Sequence, residues 1–165
     1  MGKRLTLKIV FLLVLVFTMR VVVAHYNSLD GLRGFLGSFI LEEDTVYAPG
    51  YSDRAYKKVK IGMAKNDVFE TLGAPLMESW EYAGNVSCLM WFRDDVVCGF
   101  YYSFGNKAEE KIEEGIKKAD VLKLYGRPYE ESWIYSEGRG KSYRMRKVIF
   151  RDNKVVEKIH KFYAD

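Results

Sequence analysis

The chain has 165 residues, of which 48% are hydrophobic and 29% are charged, with fourteen Gly, three Pro and two Cys. This length fits one globular domain or two very small ones, and the composition excludes collagen-like, disordered and disulfide-dense proteins. Four of the 26 basic residues lie within residues 1–24, which contain no acid, so 22 basic and 22 acidic residues remain in the rest of the chain. We therefore expect no nucleic-acid partner, because phosphate binding requires clustered positive charge.

Residues 1–24 have the pattern of an export signal. A basic lead precedes the apolar run 9–19, and the segment ends with the small residue Ala24. Two alternatives stay open: a peptidase removes the signal after Ala24, or the segment remains as a signal anchor in which residues 9–24 contact the membrane. Both place residues 25–165 in the cell envelope, either in the periplasm or anchored at the inner membrane.

Residues 25–54 are predicted to form a linker or a membrane-proximal segment. Gly31, Gly34 and Gly37 recur at every third position between Leu and Phe residues. Three Gly weaken a helix by roughly 2–3 kcal/mol, so a linker is favoured over an amphipathic helix.

The rest of the chain contains an internal repeat. A shift of 53 residues aligns residues 62–82 with residues 115–135, and ten of the 21 aligned positions are identical. The identical pairs are Gly62/Gly115, Lys65/Lys118, Asp67/Asp120, Val68/Val121, Gly73/Gly126, Pro75/Pro128, Glu78/Glu131, Ser79/Ser132, Trp80/Trp133 and Tyr82/Tyr135. We predict two tandem repeats, residues 55–106 and residues 107–165.

Each repeat begins with a predicted helix. Val68 and Leu72 have helical spacing over residues 65–72, and the second copy has the same pattern. Gly73 lies where a helix ends with a positive φ, and Pro75 stops its propagation. Gly62, Gly73 and Pro75, with Gly115, Gly126 and Pro128 in the second copy, are therefore interpreted as structural residues. Asp67 and Asp120 are expected to lie in the first helical turn, where a carboxylate meets unpaired N–H groups.

Three strands are predicted to follow each helix. A period of two places Trp80 and Trp133 on a buried face of the first strand of each copy. Hairpin turns are predicted at residues 94–95 and 152–153. The fold class is therefore α+β, with two tandem repeats that each pack one or two short helices on a three-stranded antiparallel meander. A unit of about 50 residues has a marginal core, so we expect the two units to pack together or to join into one sheet.

The two cysteines flank the first predicted hairpin turn. An even number of cysteines in an exported protein makes a disulfide between Cys88 and Cys98 one alternative. Two reduced thiols are the other, because the register of the strands decides whether the sulfurs can meet.

The motif at residues 62–75, Gly-Met-x-Lys-x-x-Val-x-x-x-Leu-Gly-x-Pro, resembles the BamE/SmpA/OmlA-like envelope domain. The tandem arrangement is similar to the architecture of the β-lactamase inhibitor protein. The resemblance covers residues 55–165 and implies a bacterial cell-envelope protein that binds other proteins or supports outer-membrane assembly, with no catalytic residues. Lipoproteins of this family carry a Cys at the cleavage site, where this chain has Ala24–His25, and Ala64 replaces the usual capping Ser or Thr.

A cluster of basic residues marks the predicted second hairpin of the last repeat. Arg144 and Arg146 follow Tyr143 there, and residues 107–165 contain fifteen basic and eleven acidic residues. Arg and Tyr on a rigid strand are typical of contact hot spots. A partner-binding site at Tyr143, Arg144 and Arg146 is one interpretation, and a solvated hairpin is the other.

The sequence contains no pattern of catalytic, metal-binding or cofactor-binding residues. We therefore predict a noncatalytic protein-interaction module of the cell envelope, with no cofactor and an envelope protein as its partner. The alternatives are an inhibitor of a secreted hydrolase, an enzyme that uses the cysteine couple with His160, and a small-ligand carrier.

Overall fold

The computed structural model describes residues 2–27, 29–83, 88–102 and 112–164. The helices in these ranges are α1 (Gly2–Asn27), α2 (Gly31–Ile40), α3 (Asp53–Lys58), α4 (Lys65–Leu72) and α5 (Lys118–Tyr125). The strands are β1 (Thr45–Tyr47), β2 (Met77–Tyr82), β3 (Cys88–Arg93), β4 (Val96–Tyr102), β5 (Glu130–Ile134), β6 (Ser136–Gly138), β7 (Ser142–Arg151) and β8 (Lys154–Ala164). The mixed α+β class is confirmed.

Six strands form one antiparallel sheet in the order β4-β3-β2-β5-β7-β8, and β1 pairs with β6 in a separate two-stranded sheet. The predicted hairpins are confirmed. Residues 94–95 and 152–153 have φ between 49° and 61°, the conformation of a two-residue turn whose twist matches that of the strands. At the centre of the sheet β2 pairs with β5, and Ser79 lies opposite Ser132. The strands of the two predicted units are thus joined into one sheet.

The two faces of this sheet differ in what covers them. Strand register places Trp80 and Trp133 on one face, which we call the helix face, and Ser79 and Ser132 on the other, which we call the open face. Both Trp side chains are buried, as predicted, and each belongs to a hydrophobic cluster that includes a helix. The hydrophobic core therefore lies on the helix face.

The helices do not pack on the strands that follow them in the sequence, which differs from our expectation. Val68 of α4 lies in a cluster with Trp133 of β5 and Phe150 of β7. Val121 of α5 lies in a cluster with Trp80 of β2 and strand residues of β3 and β4. Each helix thus covers the meander of the other half of the domain.

Backbone pairing just before α4 and α5 accounts for this helix exchange, in which each helix covers the strands of the other half. The N–H of Gly62 donates to the carbonyl of Val155 in β8, and the N–H of Gly115 donates to that of Val97 in β4, both at 2.8 Å. The N–H groups of Val155 and Val97 donate back to residues 63 and 116. These contacts also cover the start of each edge strand, where unpaired backbone groups invite aggregation.

The glycine that ends each of these two helices has the predicted role. Gly73 and Gly126 have φ of 76° and 74° with ψ of −165° and −156°, a region of backbone space that is essentially restricted to glycine. Tyr135 donates its hydroxyl hydrogen to the carbonyl of Gly73, and Tyr82 donates to that of Gly126. The end of α5 is thereby fixed to the last residue of β2, and the end of α4 to the residue that directly follows β5.

The expectation of a plain linker over residues 25–54 is wrong in its structure, because α2, β1 and α3 lie within it. A Cβ atom at Gly37 would collide with the ring of Phe162 in β8, so glycine there lets α2 approach the sheet closely. In α3, the hydroxyl of Ser52 accepts a hydrogen bond from the N–H of Ala55 and caps the helix. Packing against the sheet thus outweighs the low helix propensity of glycine.

The helix α1 begins the described chain. The large apolar side chains of residues 9–19 are 47–69% exposed. No helix in the described ranges is both long enough and apolar enough to cross a membrane.

Candidate functional site

The predicted partner-binding arginines lie on the helix face and not on a free surface. The side chain of Arg146 is completely buried, and its guanidinium donates two hydrogen bonds to the carboxylate of Asp30, at 2.8 and 2.7 Å. Its Nε donates to Asp53 at 3.1 Å. Arg144 donates to Glu43 at 2.9 Å and to Asp30 at 2.8 Å. The prediction that Arg144 and Arg146 contact a partner is therefore wrong, because carboxylates of the chain itself occupy both guanidinium groups.

This buried ion network joins residues 29–58 to the sheet. Burial by itself would raise the pKa of Asp53, but the hydrogen bond and the charge of Arg146 outweigh it and hold that pKa below its ordinary value. Burial would lower the pKa of Arg146, but hydrogen bonds from it to Asp30 and Asp53 raise it. The hydroxyl of Tyr51 also donates to Asp53, and burial raises the pKa of that tyrosine. Arg146 thus favours the ionised form of Asp53, and the network holds this N-terminal segment, residues 29–58, in place.

Tyr143 is the one predicted contact residue that stays on the open face. Its ring stacks on that of Tyr163, with centroids 5.2 Å apart and planes 16° apart. It also lies against Gly138, where a Cβ atom would collide with it. The side chain of Tyr143 is half-buried, so part of it is available for contact.

Four charged residues meet at the centre of the helix face in two matching sets. Lys118 forms an ion pair with Glu78 at 2.6 Å, and Lys65 forms one with Glu131. Each ammonium also lies over an indole ring, Lys118 at 5.2 Å from the centre of Trp80 and Lys65 at 5.1 Å from that of Trp133. The sequence shows that the same Lys and the same Glu occur at equivalent positions of both aligned segments. It does not show that each Lys pairs with the Glu of the other segment.

Two grooves flank this centre, one against each buried indole ring. The large groove has a volume of about 610 Å³ and is lined by Trp80, residues of α5 and Pro128. The small groove has a volume of about 230 Å³ and is lined by Trp133, Phe69 and Pro75. The indole N–H groups of both tryptophans are buried without a hydrogen-bond partner in the described part of the chain. Residues of the two aligned segments therefore frame the grooves on the helix face.

The proposed disulfide is not formed, and both thiols are free. A β-bulge lies between Trp91 and Phe92 of β3 and leaves Cys98 of β4 out of register, while Cys88 lies opposite Tyr102. Burial raises the pKa of the Cys88 thiol to about 11, which disfavours the reactive thiolate. His160 is exposed in β8 with its ring 6.5 Å from that of Tyr56, so it is not assembled with the cysteines into a catalytic group.

Comparison with known proteins adds no identification: no family model, curated protein or solved structure matches the chain. Within the described ranges, no three His, Cys, Asp or Glu side chains come together in a way that could hold a metal ion. The site geometry is therefore the basis for inferring function.

Proposed function

We propose that the protein is a noncatalytic module of the cell envelope that binds a protein partner through the open face of its six-stranded sheet. The observation that carries this proposal is the contrast between the two faces. Helices and the N-terminal segment cover the helix face, whereas the open face presents large side chains on rigid strands. Trp91 and Leu89 are half-buried there and Tyr101 is 62% exposed.

The shape of the open face supports a role in binding. Ser79 and Ser132 lie at its centre and are each 3% exposed, because larger neighbours such as Trp91 and Ile149 stand on either side of them in the register. The surface of the open face is therefore formed by large side chains and not by the two serines. Aromatic side chains on a rigid support are typical of residues that dominate protein–protein binding energy.

Residues 1–24 support the envelope location. A basic lead followed by an apolar run is typical of export signals, and the exposed apolar side chains of α1 require a cover that the domain does not supply. We propose that residues 1–24 direct export and that residues 25–165 act outside the cytoplasm. A reporter enzyme active only in the periplasm, fused at the C-terminus, is expected to be active, and the intact mass of the recovered protein distinguishes cleavage after Ala24 from retention.

We further propose that residues 55–165 are a duplicated unit of the BamE/SmpA/OmlA type. The identical positions of the two aligned segments support this, as do contacts that occur in pairs separated by the same 53-residue shift. Examples are the two lysine–glutamate pairs and the tyrosine hydroxyls that hold the ends of α4 and α5. Such a unit binds through its surface and contributes no catalytic residues.

Site-specific crosslinking in intact cells tests the binding proposal. A photoreactive phenylalanine analogue replaces Trp91 or Tyr101 on the open face, and Glu70, which is exposed on α4, serves as the matched control. We expect protein adducts from the open-face positions and few from the control, with mass spectrometry identifying the partner. Equal adduct yields from all three positions would discard the open face as the docking surface.

A further inference from the structure

The two grooves on the helix face occupy matching positions but differ in size. The large groove, of about 610 Å³, is lined by Trp80, Leu122 and Pro128. Their equivalents in the other aligned segment, Trp133, Phe69 and Pro75, line the small groove, of about 230 Å³. Ligand sites in proteins have volumes of roughly 300–1,000 Å³. Only the large groove of these two falls in this range.

One pair of equivalent residues differs in size beside the two indole rings. The ring of Phe69 meets the ring of Trp133 edge to face, with centroids 6.1 Å apart and planes 72° apart, so it occupies the space beside that indole. Leu122 is the equivalent residue beside Trp80, and its shorter side chain leaves the corresponding space open. Leu122 is 42% exposed, so this opening is reachable from solvent.

The same two grooves differ in charge. Lys117 and Arg127 line the large groove, and the equivalent residues 53 positions earlier are Ala64 and Ala74. Neither cation has an ion-pair partner among the described residues.

The acidic residues of the large groove do not cancel the difference in charge that Lys117 and Arg127 make between the two grooves. Glu131 is paired with Lys65, and Asp94 and Asp95 line both grooves alike. The large groove therefore combines an apolar wall with two cations that have no ion-pair partner in the described part of the chain, and the small groove has neither the space nor the charge.

We propose that the large groove binds an extended peptide segment of a protein partner, one that presents an aromatic or large aliphatic side chain next to a carboxylate. The apolar side chain contacts Trp80, Leu122 and Pro128, and the carboxylate pairs with Lys117 and Arg127. Charge-assisted bonds to a carboxylate supply specificity, and burial of the apolar side chain supplies affinity. This site goes beyond the proposed function, which concerns the opposite face of the sheet.

Binding of short labelled peptides to the full chain in nonionic detergent micelles tests this proposal. The probe is a fluorescein-labelled tetrapeptide of alternating acidic and apolar residues, DFDL, and its basic counterpart KFKL has the same apolar side chains. Fluorescence anisotropy measures the dissociation constant. We expect DFDL to bind with a dissociation constant of roughly 1 mM or tighter, as for a weak single-anchor contact, and KFKL to bind at least about tenfold more weakly.

Variants that reproduce features of the small groove locate the binding site. Leu122→Phe fills the groove as Phe69 does in the small one, and the double variant Lys117→Ala/Arg127→Ala removes both cations. Each is expected to weaken DFDL binding at least about tenfold, or about 1.4 kcal/mol. The double variant Lys60→Ala/Lys161→Ala removes the same net charge at exposed positions outside the groove and is expected to bind like the parent chain. A cooperative urea unfolding transition in every variant shows that each is folded.

Several results would overturn the proposal: no binding of DFDL at roughly 1 mM, equal binding of KFKL, or an equal loss of affinity in the variant at residues 60 and 161. A further result would also overturn the peptide assignment: DFDL does not bind, but anionic phospholipid vesicles do, and Leu122→Phe abolishes vesicle binding. That result would assign the groove to lipid. None of these results depends on the open face, because the substituted groove residues lie on the helix side. Failure here is therefore distinguishable from failure of the crosslinking experiment.

Discussion

Replacing Arg146 with Ala tests whether the buried ion network holds the N-terminal segment on the sheet. The substitution removes three charge-assisted hydrogen bonds, two to Asp30 and one to Asp53. The side chain of Asp30 is itself fully buried, and removing one partner of a buried pair costs about 3–5 kcal/mol. Arg144 still donates to Asp30 at 2.8 Å, so we expect a loss at the lower end, about 3 kcal/mol of unfolding free energy.

Urea unfolding of the full chain in nonionic detergent, followed by tryptophan fluorescence, measures this loss. The matched control is Arg139→Ala, at an exposed position, which is expected to change stability by no more than about 0.5 kcal/mol. A double-mutant cycle with Asp30→Ala is expected to give a coupling energy of about 1–3 kcal/mol. If Arg146→Ala costs less than about 1 kcal/mol, or if the coupling energy is zero, the network does not fasten the segment.

Three further predictions concern pH, backbone conformation and thiol reactivity. The pKa of Asp53 is lowered in the folded protein, so the stability that this group contributes is present above its unfolded pKa of about 4 and is lost as pH falls through its folded pKa. Asp53→Asn should therefore destabilise the protein at neutral pH, by roughly 1 kcal/mol for this partly exposed group. In urea titrations at acid pH, the difference in stability between the variant and the parent chain should vanish. Gly126→Ala should cost about 1–3 kcal/mol in thermal unfolding, because φ is positive there, whereas Gly99→Ala, whose Cβ atom would lie 3.6 Å from Trp91, should be nearly neutral. Cys98 should react with a maleimide in the native protein and Cys88 only after unfolding.

Each of these expectations has a result that contradicts it. A stability difference for Asp53→Asn that does not depend on pH would show that the carboxylate is not held ionised by Arg146. Equal costs at residues 126 and 99 would remove the conformational explanation for the helix end. A protein that contains no free thiol without reduction would restore the disulfide between Cys88 and Cys98.

Local structure could be predicted from the sequence because its signals are local. Helical spacing around Val68, glycine after each helix and short acidic turns placed α4, α5 and the two long hairpins correctly. Strand alternation also placed Trp80 and Trp133 in the core. These features depend on residues a few positions apart, so a single sequence contains them.

The helix exchange could not be predicted, for a physical reason. The two helices bury a Val at the same position, Val68 in α4 and Val121 in α5, and each strand surface that receives one carries a buried Trp and a buried Phe. A helix that fits one meander therefore fits the other, and only the backbone pairing of residues 62–64 with β8 and of residues 115–117 with β4 decides between them.

The role of Arg144 and Arg146 was missed because their partners lie far away in the sequence. Asp30 is 116 residues from Arg146, and Asp53 is 93 residues away. Alternation along β7 could have separated Tyr143 from its two neighbours, since adjacent strand residues point to opposite faces. It could not have shown that acids from the predicted linker would meet these arginines.

The exchanged helices make the two halves mutually dependent. If synthesis stopped after residue 106, α4 would lack the strands that it covers, and the meander of β2, β3 and β4 would lack α5, the helix that covers it. Two copies of such a fragment could still satisfy one another, since each carries both the helix and the surface that the other needs. We therefore expect a single half, expressed by itself, to be found as a symmetric pair or unfolded, and never as a stable monomer.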